Sequence, residues 1–475
     1  MKKNGLIGRA AEYRALEKCY LEKHAQLAIV MGRRRVGKTF LVNESFEDDM
    51  VFKVTGSKGA SMKDQLDNFF DELRLRDPSF RETPKSWREA FVLLRQYLDS
   101  LPKDRRLVVF IDEMPWLDSR KSKFLPSFEY FWNHYGSAKK SLLLIVCGSA
   151  SAWIQKKIIK NKGGLFNRQS AIVRLEPFTL LETEQYLESK GISWSRMDIA
   201  RLYMVTGGVP FYLDEIDPEL TLNENVDRLF FAKGAPLQGE FKLLYETLFD
   251  RKEGHVSVVT TLSKHRYGLT RKEIGEETKL PKNGNLSGIL ESLEQSGFIT
   301  PFLSRGERKE KRYYLSDFFT YFYLRFVQDR LGKDEHFWSN AAMSQSRTSY
   351  EGIAFEFVCL SHISQIKEAL GISGVLSEWF GWRVAPSNEQ SGAQIDLVID
   401  RRDNVSSLCE MKFVGQEFTI SKDYDEELRN KIARYDAFSK HRKSIQMVFV
   451  SSYGLKRNMY SGLVQRSLTL DDLFR

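Results

Sequence analysis

Apolar residues run without a polar break through 27–31, 107–111 and 142–147, and a looser strand-like run covers 171–175. A strand with one wet face alternates apolar and polar positions, whereas a short unbroken run belongs to a strand covered on both faces, as in a parallel sheet between helices. The runs stop on small or acidic residues: Gly32, Asp112 with Glu113, and Gly148 with Ser149. Polar loops are therefore expected at the carboxyl ends of these strands, the edge along which open α/β sheets hold ligands.

Downstream the period changes. Residues 241–249 and 256–262 have helical apolar spacing, Thr270 offers an N-cap to a helix from Arg271, and Leu286, Ile289, Leu290 and Leu293 share one helical face. Residues 296–303 and 311–315 predict a hairpin across a polar turn at 304–310. The aromatic stretch 318–326 would bury most of its rings at helical spacing, which suits a docking surface better than base stacking. From residue 351 the order reads helix, three strands (379–384, 394–399, 407–413), helix (428–439) and strand (445–450).

With 475 residues, several domains are expected. Hydrophobic content of 42% and aromatic content of 13% exclude wholesale disorder. No run is long enough to span a membrane and the N-terminus lacks a secretory apolar core, so a cytoplasmic protein without a membrane partner is expected. The four cysteines, Cys19, Cys147, Cys359 and Cys409, show no metal or disulfide spacing and read as small core residues. A net charge of +9 is modest, but residues 251–315 carry thirteen Lys and Arg against eight Asp and Glu. That surplus points to a polyanionic partner.

The loop after the first run is Gly32-Arg33-Arg34-Arg35-Val36-Gly37-Lys38-Thr39, followed by Phe40 and a helical pattern. Strand, Gly-rich loop and helix in this order form a phosphate cradle: backbone N–H groups from Gly32 to Phe40 face the anion, Lys38 spans the β- and γ-phosphates, and the Thr39 hydroxyl holds Mg²⁺. Asp112 would complete the Mg²⁺ shell, Glu113 would orient or deprotonate water, and Ser149 would contact the γ-phosphate or that water. With 163–168, 171–175 and 176–182, these motifs resemble the AAA+ ATPases, and more closely the STAND-like ATPases first described in archaea. The resemblance covers roughly residues 5–235, with Thr206-Gly-Gly-Val-Pro210 as the lid signature. It implies ATP as cofactor, an adenine wall near Leu6-Ile7-Gly8-Arg9, and Arg168 reaching a neighbouring subunit's γ-phosphate in a nucleotide-dependent homo-oligomer. An arginine pairing with a local carboxylate would read the same.

The segment after residue 235 resembles a winged helix-turn-helix. On DNA, the helix from Asn285 would enter the major groove while Arg305, Arg308, Lys309, Lys311 and Arg312 contact phosphates. Glu291 and Glu294 on that helix argue instead for a protein partner. Asp396 followed by Glu410-Met411-Lys412 resembles the PD-(D/E)XK nuclease superfamily, with Glu356 matching the acidic residue of its first helix. Residues i and i+2 of a strand share a face, so Glu410 could share Mg²⁺ with Asp396 while Lys412 acts on water or on the phosphate.

The expected fold is thus multidomain α/β: an AAA+-like P-loop core (1–175), a helical lid (176–235), a winged helix-turn-helix with an aromatic helix (236–340), and a restriction-endonuclease-like α/β domain (341–475). Two functions fit it. One is a DNA-associated ATPase coupled to Mg²⁺-dependent cleavage; the other is a nucleotide-dependent switch whose C-terminal part binds protein or nucleic acid without cutting.

Overall fold

Strands β1 (Gln26–Gly32), β2 (Met50–Thr55), β3 (Leu107–Asp112), β4 (Leu142–Gly148) and β5 (Ala171–Leu175) form one parallel sheet in the order β2-β3-β4-β1-β5. The computed structural model describes residues 6–475 apart from 103, 161–162, 250, 282–283, 306–309, 331 and 387–390. They divide into two units, one containing the chain to Pro177 with 246–250 and 295–297, the other 178–245, 251–294 and 298–475.

In the first unit the unbroken apolar runs are buried on both faces. One face of the sheet packs on Phe69, Trp87, Phe91, Leu94, Phe124 and Phe128 from helices Met62–Arg76, Trp87–Ser100 and Phe124–His134. The other packs on Leu16, Leu41, Val42 and Phe46 from helices Ala10–Leu21 and Lys38–Phe46. Burying one such phenylalanine side chain contributes about 1.5–3 kcal/mol. All the carboxyl ends lie along one edge, where the glycine loop, Asp112 and Ser149 sit.

The second unit holds an eight-stranded sheet in the order β13-β12-β11-β10-β9-β7-β8-β6. Its strands are β6 (Leu269–Thr270), β7 (Ile299–Arg305), β8 (Glu310–Leu315), β9 (Ser377–Val384), β10 (Ala393–Arg401), β11 (Val405–Lys412), β12 (Ser444–Ser451) and β13 (Arg466–Leu468). The β7–β8 hairpin forms, and Thr270 caps helix Arg271–Glu277 with a capping box closed by Glu273. The boundary expected near residue 340 does not interrupt this sheet, because β7 pairs in parallel with β9 through Ser304 with Gly381 and Arg305 with Trp382. Between Ile395 and Val398 the β9–β10 register shifts, and those two residues, three apart, enter the same core cluster. Strict alternation would forbid that, so Asp396 lies in a bulge, a device that re-aims side chains beside sites. The aromatic stretch 318–326 is buried in its own unit: Phe318, Phe319, Phe322 and Phe326 are all covered.

Buried His362 fixes a second contact. Its Nδ1–H donates to the Val358 carbonyl at 2.9 Å, so its Nε2 accepts from the Leu180 N–H, 3.0 Å away, at the start of helix Leu180–Ser189. Burial lowers its pKa to about 4, against the Val358 carbonyl, which raises it. The unfolded chain takes up this proton near pH 6.5 and the folded chain only near pH 4, so stability falls as pH drops through that window, by roughly 3 kcal/mol in all. Thermal unfolding of His362→Gln between pH 7 and 4 should therefore show a shallower pH slope than the wild type; parallel curves would count against this role.

Candidate functional site

Gly32 ends β1 where a Cβ would come within 2.3 Å of the Leu175 carbonyl oxygen, so only glycine lets the loop leave the strand beside β5. Gly37, at φ 86°, turns the chain into helix Lys38–Phe46 in a left-handed conformation that side chains resist. Arg35, also left-handed at φ 75°, shares that strain. Lys38 is buried and its Nζ donates to the Arg33 carbonyl at 2.8 Å. The Thr39 hydroxyl donates to Asp112 Oδ2 at 2.8 Å, while Asp112 Oδ1 accepts the Glu113 N–H at 2.9 Å. Hydroxyl and carboxylate oxygens are the hard donors Mg²⁺ takes, so this pair fits that cation.

Glu113 sits at φ 44°, and its Oε2 accepts from the Ser149 N–H at 3.0 Å and from the Ser149 hydroxyl at 2.8 Å. The structure thus joins the ends of β3 and β4 through one carboxylate. Arg33 is buried, Val36 lies in the core, and Phe40 is exposed. Arg9, expected in an apolar adenine wall, acts differently: its guanidinium donates to the Val36 carbonyl at 3.1 Å and the Glu176 carbonyl at 2.7 Å, bracing the loop from outside. Burial raises the Glu176 carboxyl, opposed by Arg174, Arg33 and Arg9. Arg168 is exposed, follows left-handed Asn167, and makes no ion pair among the described residues.

In the second unit, Glu410 and Lys412 point to one face of β11, where both meet Tyr424 of helix Lys422–Ser439: the tyrosine hydroxyl donates to Glu410 Oε2 at 3.0 Å, and Lys412 Nζ lies 5.2 Å from its ring centre. Lys431 Nζ donates to Glu410 Oε1 at 2.9 Å and pairs with Glu427 at 2.9 Å. Glu356, on helix Gln345–Ser361, takes the Arg266 guanidinium in a bidentate pair, with Nε to Oε2 at 3.1 Å. Asp396 accepts from the Gln394 amide at 3.3 Å. Burial, with Asp396 adding to it, pushes Glu356 up to about 8 against the pull of Arg266 and Lys412. Glu410 is likewise raised by burial, opposed by Lys431.

Glu356, Asp396, Glu410 and Lys412 therefore share one electrostatic neighbourhood, but the arrangement does not fit a resident cation. Both oxygens of Glu410 are committed to neighbours, and among the described residues no three His, Cys, Asp or Glu side chains gather as a metal site. Arg266 and Lys431 supply the compensating charge, and the sequence reading missed both. Tyr424, Glu427 and Lys431 recur at helical spacing on one face, a signal that was available; Arg266 lies in a loop and carried none.

The expected phosphate contacts on the hairpin are already paired. Arg305 bonds Glu378 and covers the Phe380 ring, Lys311 meets Glu294 at 3.4 Å, and Arg312 meets Glu273 at 3.1 Å and Glu310 at 3.3 Å. Arg308 and Lys309 lie outside the described residues. Of these partners only Glu378 lies outside residues 251–315, so the pairing within the hairpin leaves most of the local surplus of cations in place.

Residues 6–216 match the model of a family described as an ATPase domain predominantly from Archaea. With the loop and strand-end geometry above, the amino-terminal part of the chain is a P-loop ATPase domain of that type. Over a longer span the chain is similar to an uncharacterized protein of Methanocaldococcus jannaschii, 22% identical over 368 residues, which cover 76% of this chain and 78% of that protein. It is also similar in structure to a Walker-type ATPase of Pyrococcus abyssi (19% identity, TM-score 0.49, covering 68% of this chain and 97% of that one). A further likeness is to Cdc6p of Pyrobaculum aerophilum (13% identity, TM-score 0.33, covering 70% and 97%). No helix among the described residues is long and apolar enough to cross a membrane.

Removing Lys431 alone leaves Glu410, 1% exposed, without its cation. Lys431→Met should cost roughly 3 kcal/mol in urea unfolding, and adding Glu410→Gln should recover most of it, because the cost lies in the orphaned charge. Additive losses in the double variant would mean that the two residues do not act as a pair.

Proposed function

We propose that this chain binds and hydrolyses ATP in its first unit and couples that cycle to a nucleic-acid-binding, nuclease-like second unit. The observation that carries the ATPase reading is the bond between Thr39 and Asp112, which joins the phosphate loop to the acidic strand end. Lys38 and the loop amides would hold the polyphosphate, and Thr39 with Asp112 would hold Mg²⁺. The bound cation would neutralise charge on the β- and γ-phosphates. Glu113 accepts the water proton, and Ser149 positions its carboxylate. Arg168, exposed at the loop before β5, is free to reach a second subunit. In this reading residues 176–235 serve as the lid, and 236–340 as a winged helix-turn-helix that packs more than it grips DNA, since the described hairpin cations are paired.

Lys38→Ala should lose ATP binding, while Glu113→Gln should keep binding and lose most turnover, measured by calorimetry and phosphate release. Unchanged affinity in Lys38→Ala would remove the assignment. Mixing Arg168→Ala with Lys38→Ala should restore part of the activity if the arginine acts between subunits; without that complementation it serves within its own chain.

For the second unit, the order of helix, strands, helix and strand, with Glu356, Asp396, Glu410 and Lys412 in one neighbourhood, supports a PD-(D/E)XK-like domain. One observation favours binding without cutting: Glu410 has both oxygens engaged by Tyr424 and Lys431. The discriminating experiment is plasmid DNA with Mg²⁺ or Mn²⁺, with and without ATP, beside Glu410→Ala. Nucleotide-dependent binding with no nicking is the expected result. Nicking that disappears in Glu410→Ala would instead establish a nuclease that releases Glu410 when its substrate arrives.

A further inference from the structure

A cavity of about 90 Å³ opens on the β7–β9–β10 part of the second sheet, beside the carboxylate cluster, beneath helix Gln345–Ser361. Its walls are largely aromatic and apolar: Phe302, Tyr314, Phe357, Leu360 and Met411. Tyr314 and Phe357 stack with centroids 5.4 Å apart, which gives one wall a flat, rigid surface. Tyr267 stands at the opening, 44% exposed, with the Arg266 guanidinium 5.2 Å and the Arg383 guanidinium 5.7 Å from its ring centre. Solvent alone gives no reason for a tyrosine held half out of the surface between two arginines.

The cavity continues into a second, more open one. The two share Arg266, Tyr267, Arg383, Gln394 and Asp396, and the open one adds Glu410, Lys412, Glu427 and Lys431. Lys431 there is paired with Glu410 and Glu427 and Arg266 with Glu356, so an apolar aromatic recess joins a cleft in which Arg383 and Lys412 are the cations left to meet an anion. The strands beneath the recess, β7, β9 and β10, are interior strands with partners on both sides, so a peptide cannot enter by adding a strand. A lipid chain would meet the Arg266–Glu356 pair and Asp396 on its way in. A flat ring with polar edges, attached to an anion that stays outside, fits both halves. Aromatic faces and guanidinium planes are the surfaces on which unpaired bases stack, while Gln394 and Ser304 offer groups to the ring edge.

We propose that this recess takes one unstacked base of a nucleic acid strand, whose phosphates lie in the adjoining cleft along Arg383 and Lys412. The proposal rests on the reading of the second unit as one that handles nucleic acid, and it names the substrate as a strand with at least one splayed base. A base in the recess would set which phosphodiester faces Asp396 and Glu410, so the recess would serve as a ruler as well as an anchor.

The test uses the full chain with ATP and Ca²⁺ in place of Mg²⁺, so that nucleotide is present while scission is suppressed, and fluorescence anisotropy of an end-labelled oligothymidylate. A second oligomer of equal length and charge carries abasic sites at its centre. The intact strand should bind roughly tenfold or more tightly than the abasic one, a factor set by base stacking. Tyr267→Ala should erase that difference without lowering the melting temperature, and Tyr267→Phe should restore it. Equal binding of both oligomers by the wild type overturns the recess while leaving nucleic acid binding intact. Failure to bind either removes the underlying reading as well. Displacement of the strand by thymidine monophosphate at matching affinity would reassign the recess to a free nucleotide and overturn the proposal.

Discussion

Parallel strands must end on the same side, and the chemistry of the first unit follows from that constraint. In the order β2-β3-β4-β1-β5, the glycine loop, the Asp112–Glu113 pair and Ser149 leave neighbouring strands at one edge, within side-chain reach. Neighbouring strands lie ~4.8 Å apart, so β1 and β3, separated by β4, end ~10 Å from each other. Thr39, in the first turn of helix Lys38–Phe46, bridges that gap to Asp112. Hydrophobic burial of the strands holds the edge in place. The polar groups there bond to one another across the edge, and left-handed Arg35 and Glu113 mark where the backbone is held against its preference.

In the second unit the governing problem is buried charge. Three carboxylates in one electrostatic neighbourhood would repel each other, and removing a charge from water is expensive. The fold answers with bases: Arg266 takes both oxygens of Glu356, and Lys431 with Tyr424 takes both of Glu410. A cluster compensated in this way persists without a metal. It also means that any cation or phosphate arriving there competes with groups already in place.

The continuous apolar runs at β1, β3 and β4 disclosed buried parallel strands because neither face of those strands meets water. The Gly32–Thr39 loop was legible because backbone geometry limits which residues can build it. The i, i+2 spacing of Glu410 and Lys412 disclosed a shared face, since the pleat imposes it. What stayed hidden depends on distant partners: Arg266 and Glu356 are ninety positions apart, and local pattern says nothing of their meeting. The pairing of the hairpin cations was hidden for the same reason: nothing local shows that Arg305 meets Glu378 on another strand. The boundary expected near residue 340 was placed on a change of pattern, yet strand pairing passes over it.

That pairing has a mechanical consequence. β11 and β12 are registered over eight positions, Val405 to Lys412, whereas β7 meets β9 over Ser304 and Arg305 among the described residues. Tension applied along the strands would be resisted in proportion to the paired length, so the sheet is graded, stiff on the side of the acidic cluster and weak at the hairpin seam. Gly381 lets Phe302 lie across that seam, since a Cβ there would come within 2.2 Å of the ring. A joint only two positions long, as short as that between β6 and β8, is thus reinforced by an aromatic strap.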